Sequence, residues 1–203
     1  MITIVDYGMG NVSSILNMFK RIGVDAEITG DKSKINDATK ILLPGVGAFD
    51  AAMKRIEEAG LIQLLNRKAL EDKVPVLGIC LGMQLLSKDS EEGNLAGLGW
   101  IDAHTIKFRF APELKMKVPH MGWNEVTPKK TSALTADFDD DARFYFVHSY
   151  HVVPADQSAI LMTSVYGYEF VAMVQHHNIY GAQFHPEKSH KYGMKLLSNF
   201  AGL

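Results

Sequence analysis

One cysteine, two tryptophans, no repeat and no apolar run of membrane length: the 203-residue sequence is informative first for what it has little of. A lone thiol, Cys80, excludes an internal disulfide and any multi-thiolate metal cage. No segment reaches the roughly 18 apolar residues that a membrane span needs. The start, MITIVDYGMG, lacks the basic region and long apolar stretch of a signal peptide, so a cytoplasmic location is expected. An excess of one charge is missing too. The 21 basic and 23 acidic side chains leave a formal net charge of -2, and no Lys/Arg cluster is dense enough to track a phosphate backbone. Nucleic acid is therefore not an expected partner. What is present, 47% hydrophobic and 22% charged residues, is the balance of an ordinary globular chain, long enough to bury a sizeable core. A single domain over residues 1–203 is the simplest organisation.

The first half alternates strand and helix patterns. ITIVDYG reads as a buried strand that stops at glycines, and NVSSILNMFKRIG spaces Val12, Ile15, Leu16 and Phe19 along one helical face. Further strands are expected in VDAEIT, KILLPGVG and PVLGIC, with one helical stretch, AFDAAMKRIEEAGLIQLLNRKALEDK, before the last of them. Such alternation predicts an α/β fold, a mostly parallel central sheet flanked by helices. From about Gly93 the pattern changes to IDAHTIKF, ARFYFVHSYHVV, EFVAMVQHH and YGAQFH, which adds antiparallel strands in the C-terminal half before a last helix, KYGMKLLSNF.

Cys80 stands between the strand PVLGI and the helix LGMQLLSK, the layout of a nucleophile elbow with G-I-C-L-G in place of G-x-S-x-G. Gly78 and Gly82 fit a sharp turn that presses backbone against its neighbours. A helix N-terminus favours thiolate, and its free N–H groups can bind a developing oxyanion. The alternative is a small buried hydrophobe. A thiol nucleophile needs a base, and His185 ends the apolar run YGAQF and precedes Pro186 and Glu187. A carboxylate two residues on can hold the imidazole tautomer and orientation. His148, His151, His176 and His177 have spacings that could bind metal, but they lack the further ligands of a zinc site, and local hydrogen bonding is the better reading. No metal and no cofactor are expected.

LLPGVGAF is another strand ending in glycines. Its Val46 peptide can flip, and a backbone N–H turned inward would complete an oxyanion hole with that of Leu81; an ordinary turn is the alternative. DYGMGNVSS resembles a dinucleotide fingerprint, but Ser13 stands where its third glycine should be.

GICLGMQLL together with QFHPEKS resembles the signatures of class I (triad) glutamine amidotransferases, a fold of the flavodoxin-like kind. DYGMGN, LLPGVGAF, KVPHMGWN and YFVHSYHV, taken in order over nearly the whole chain, narrow the likeness to the glutaminase subunits of imidazole glycerol phosphate synthases. This resemblance implies a glutaminase that passes ammonia to a separate (βα)8-barrel cyclase subunit in histidine biosynthesis. By the same resemblance Cys80 is the nucleophile, His185 the base and Glu187 its orienting group. Val46, Gly47 and Leu81 form the oxyanion hole, and Gly47, Gln84, Ser149 and Tyr150 hold glutamine. Asn11, Met121, Trp123 and Lys188 are candidates for the cyclase interface, although Trp123 could equally be a core aromatic. Two other readings are another class I amidotransferase glutaminase and a catalytically inactive regulatory subunit of the same fold. A free-standing cysteine hydrolase is a third.

Overall fold

The computed structural model describes residues 1–139 and 141–203. Its strands, in chain order, are β1 (Ile2–Val5), β2 (Ala26–Thr29), β3 (Ile41–Gly45), β4 (Val76–Cys80), β5 (Asp89–Ser90), β6 (Ala103–Lys107) and β7 (His120–Glu125). They continue with β8 (Thr127–Pro128), β9 (Arg143–His148), β10 (Tyr150–Pro154), β11 (Ile160–Tyr166), β12 (Tyr168–His176) and β13 (Ile179–Ala182). The α-helices are α1 (Val12–Arg21), α2 (Lys32–Asn36), α3 (Phe49–Glu58), α4 (Ile62–Asn66), α5 (Leu81–Leu85) and α6 (His190–Gly202).

Short runs of β-branched and aliphatic residues form the central sheet, in the order β2-β1-β3-β4-β13-β12-β11-β8. The first five strands are mutually parallel and the last three antiparallel, which is the mixed sheet the sequence predicts. Both faces are covered. Alternate residues go to opposite cores: Ile4, Leu42 and Leu77 belong to one cluster, and Val5, Ile41, Leu43 and Val76 to the other. The predicted face of α1 packs on the first cluster, with Ile15 and Phe19 fully buried.

Three local expectations need correction. The long helical stretch after Gly47 breaks into α3 and α4, because the chain turns at Gly60 with φ of +64°, and α4 runs on as a π-helical turn over Arg67–Glu71. ARFYFVHSYHVV is two strands: β9 pairs with β7 in a two-stranded ribbon, while β10 joins β6 and β5 in a separate small sheet. The switch falls at Ser149. Finally, α2 has no counterpart among the expected elements, although Asp31 caps it by accepting from the N–H groups of Ser33 and Lys34.

Topology decides where chemistry can gather. β3, β4 and β13 are neighbours and parallel, in register with Gly45 opposite Cys80 and Ala182 opposite Ile79. Their C-terminal ends therefore bring Pro44 to Gly47, Cys80 and the segment leading to His185 to one edge of the sheet.

Candidate active site

Cys80 is the last residue of β4, and its backbone is bent into φ 54°, ψ -111°, a conformation that costs a non-glycine residue on the order of 1–3 kcal/mol. What holds it there is close packing of the turn. A Cβ on Gly82 would lie 1.9 Å from the Leu43 carbonyl oxygen, and one on Gly78 would lie 2.6 Å from the Gly82 carbonyl oxygen. Strand and helix thus approach closer than any side chain permits, and all of α5 is buried.

The β13 ladder stops at Ala182, and Gln183 and Phe184 carry the chain on to His185. The His185 backbone is pinned twice: its N–H donates to Tyr145 O at 2.9 Å, and its carbonyl accepts from Ser189 Oγ at 2.6 Å. Ser189 Oγ also accepts from Tyr145 N at 3.0 Å, so one buried hydroxyl ties β9 to the histidine segment. Pro186 opens a 3-10 turn that brings Glu187 back on the imidazole, with His185 Nδ1 and Glu187 Oε1 2.8 Å apart and both side chains almost wholly buried. Burial opposes a charged ring here, yet Cys80 and Glu187 together outweigh it and raise the His185 pKa from 6.5 to about 10. His185 Nε2, buried at the same cavity as Cys80, is without a hydrogen-bond partner of ordinary geometry among the described residues.

A cavity of about 340 Å³ opens over these groups. Cys80, His185, Val46, Gly47, Leu81, Gln84, Ser149 and Tyr150 all line it, and Lys188 stands at it with its Nζ 5.5 Å from the Tyr145 ring centre. Glu187 lies behind His185 rather than in the cavity. Gly47 has φ of +102°, a region that disfavours side chains, and Val46 is exposed. Beneath this loop the Tyr7 hydroxyl donates to Pro44 O at 2.6 Å, and a Cβ on Gly10 would lie 3.0 Å from Pro44. The turn of the dinucleotide-like DYGMGN therefore buttresses the Pro44 loop.

The remaining expected residues lie outside the cavity. Asn11, Met121 and Trp123 are exposed; Trp123 stacks on His190 with ring centres 5.5 Å apart, so it is a surface aromatic and not a core one. His176 and His177 are exposed beside a different cavity of about 320 Å³. Among the described residues no three His, Cys, Asp or Glu side chains gather as a metal site. A separate cavity of about 740 Å³ lies around Ser132 to Phe138 and shares no residue with the one over Cys80.

Three residues in and around the site go beyond what the sequence patterns indicate. Gln183 is fully buried and accepts from Gln84 Nε2 at 3.1 Å, while its own Nε2 lies 3.9 Å from Cys80 Sγ. Glu92 lines the cavity and accepts from Phe49 N at 2.9 Å. Ser189 is the third. The run HPEKS displays its serine, but nothing local marks it as a tie to Tyr145.

The class-I glutamine amidotransferase family matches residues 3–202. Imidazole glycerol phosphate synthase subunit HisH 2 of Methanococcus maripaludis is 56% identical over 200 residues, 98% of each chain. The protein of the same name from Pseudomonas aeruginosa is 47% identical over the full length of both. Among solved structures, PurLQS of Thermotoga maritima has a similar fold, with a TM-score of 0.75 at 19% identity over 99% of this chain and 97% of that one. A putative GMP synthase protein from Thermoplasma acidophilum has a TM-score of 0.73 at 21% identity, over 99% and 92%. An elbow cysteine facing a buried His–Glu pair, on a sheet of this topology and with full-length identity at this level, has one explanation: the chain belongs to the class-I glutamine amidotransferase family.

Proposed function

We infer that the chain is the glutaminase subunit of an imidazole glycerol phosphate synthase in histidine biosynthesis, acting as one domain over residues 1–203. Identity of 56% and 47% to HisH proteins along the whole chain supports this reading. The observation that carries the chemistry is the buried His185–Glu187 pair beside the strained Cys80 in one cavity. His185 takes the thiol proton of Cys80, whose sulfur attacks the side-chain amide carbon of glutamine, and hands a proton to ammonia as the C–N bond breaks. A γ-glutamyl thioester forms, and water activated by His185 hydrolyses it to glutamate. Glu187 keeps the imidazole oriented throughout.

The oxyanion would be held by backbone N–H groups at Val46, Gly47 and Leu81. At the amino-acid end, Gln84 has both amide protons committed to Tyr150 O and Gln183 Oε1, which leaves its carbonyl oxygen to accept from substrate. Glu92 supplies the one carboxylate among the described residues lining the cavity, the complement of an α-ammonium. Gly47 and the Ser149–Tyr150 backbone complete the grip. Triad and pocket need no cofactor for this reaction. Met121 and Trp123, exposed on one face of β7, with Asn11 and Lys188 form the surface that meets the (βα)8-barrel cyclase, so that ammonia is released into a closed interface rather than into water. No helix among the described residues is long and apolar enough to cross a membrane, and the reaction belongs in the cytoplasm.

Steady-state glutamine hydrolysis by the chain alone, with the cyclase, and with the cyclase plus its nucleotide ligand tests this reading. Turnover should rise at least about 100-fold with the liganded cyclase, because losing one oxyanion donor costs about 100- to 1000-fold and the Val46 peptide can turn its N–H away in the free chain. Equal rates in all three would favour a free-standing hydrolase. Cys80→Ala should abolish hydrolysis, while ammonia supplied in solution should still support the cyclase with that variant bound.

A further inference from the structure

Three buried histidines, His120, His148 and His151, sit in an aromatic cluster with Phe108, Phe146 and Phe170, and the triad chemistry uses none of them. His120 comes from β7, and His148 is the last residue of β9, directly opposite it.

One carbonyl fixes the protons of this pair. Tyr150 O can only accept, so His148 Nδ1, 2.8 Å away, carries a hydrogen. In a neutral ring Nε2 is then an acceptor, and His120 Nδ1, at 3.1 Å, must donate to it. His120 Nε2 is left as an acceptor, and Asn124 Nδ2 lies 3.4 Å from it. The Asn124 amide is oriented independently, since its Nδ2 donates to Val165 O at 2.7 Å and its Oδ1 accepts from Glu125 N at 3.0 Å. Burial keeps both rings neutral, holding His120 at about 4 and His148 at about 3. Every donor therefore points the same way, from β7 towards Tyr150.

Tyr150 O also accepts from Gln84 Nε2 at 3.2 Å, so the same oxygen joins the histidine pair to the Gln84–Gln183 amides beside Cys80. It lies at the point where the chain leaves the β7–β9 ribbon for the small sheet, and the ladders on either side stop at His148 and begin at Tyr150. Between the two ladders the wall keeps one backbone bond, from Phe108 N to Ser149 O at 3.0 Å, and the Tyr150 carbonyl is held by the His148 and Gln84 side chains.

We propose that His120 and His148 form a one-directional hydrogen-bond relay, both as Nδ1–H tautomers, that holds the Ser149–Tyr150 wall of the catalytic cavity in its substrate-binding geometry. They are positioning residues, acting through the Tyr150 carbonyl and not on the reacting atoms. The inference deepens the glutaminase reading of that cavity and rests on it.

Long-range nitrogen-15 spectra of the histidine rings in the full chain read the tautomers directly, with assignment by His120→Gln and His148→Gln. Both rings should show a protonated Nδ1 and a bare Nε2 near neutral pH. In the complex with the cyclase, His120→Gln retains a donor and should keep KM for glutamine within about twofold of wild type. His120→Leu deletes that donor and should raise KM about tenfold, with kcat and the rate of Cys80 alkylation by iodoacetamide within about threefold. An Nε2–H tautomer at either wild-type ring overturns the relay, as does a His120→Leu complex whose KM matches that of His120→Gln. Equal losses of kcat and alkylation in His120→Leu would mark a merely structural role and overturn it too. Wrong tautomers with glutaminase activity intact sink the relay alone; correct tautomers in a wild-type complex that hydrolyses no glutamine sink the cavity's assignment and the relay's role with it.

Discussion

Gly82 and Ser189 act at single atoms. A Cβ at position 82 would overlap the Leu43 carbonyl oxygen at 1.9 Å, and backbone cannot yield as the tip of a side chain can. Gly82→Ala should cost on the order of 3 kcal/mol or prevent folding, whereas Cys80→Ala should melt within a few degrees of wild type; thermal unfolding of the two variants checks the contrast. Ser189→Ala leaves Tyr145 N short of a partner in a buried place, while His185 O keeps the Lys188 N–H at 3.0 Å; the change should cost about 1–3 kcal/mol and lower kcat by loosening the imidazole. The His185 ring also gives a pH signature. Its folded-state pKa is raised from 6.5 to about 10, so its contribution to stability is complete below about 6.5 and is lost as pH rises through about 10. Ring titration by NMR should find His185 doubly protonated at neutral pH, and Glu187→Gln should bring that titration down towards the ordinary range.

Among the elements, the aromatic cluster between β7, β9 and β12 behaves in the opposite sense. Burial depresses His120 to about 4, His148 to about 3 and His151 to about 4; the neighbouring rings repel a charge on His148, and Glu91 favours one on His151. Proton uptake is then easier for the unfolded chain. Stability is full above about pH 6.5 and falls away as pH drops towards 4. Urea midpoints measured from pH 7 to 4 should decline steeply, and His151→Phe should flatten the decline. This cluster is the part hardest to read in the sequence. GICLG and HPE announce themselves because elbow and pair are local, within two residues of the reacting atoms, and β3 beside β4 follows from parallel alternation; YGAQFH reads as one of the antiparallel strands, and its parallel pairing with β4 is set by the tertiary fold. FVHSYH shows two histidines three residues apart, but nothing in it says that His148 meets His120, 28 residues earlier, or that the strand changes sheets at Ser149. Gln84 and Gln183 are 99 residues apart and become partners only when β4 and β13 lie side by side. The helix after Gly47 departs from its pattern for a simpler reason: its apolar spacing continues across Gly60, while the backbone does not.

For the whole molecule, what matters is which apolar groups face outward. Met121 and Trp123 are 61% and 45% exposed on the same side of β7, and in the proposed assembly the cyclase covers them. Trp123→Glu should weaken that association about 100-fold or more, read by titration calorimetry, and with it abolish stimulation of glutamine hydrolysis while the variant's own fold persists. An orphaned chain would have little to keep it apart from its copies. A formal net charge of -2 gives feeble mutual repulsion, and an uncovered methionine and indole are the sort of patch that nucleates clumping. Synthesised without its partner, the protein should scatter light increasingly as its concentration rises and should be cleared faster in the cell, so that the abundance of one protein sets the usable amount of the other.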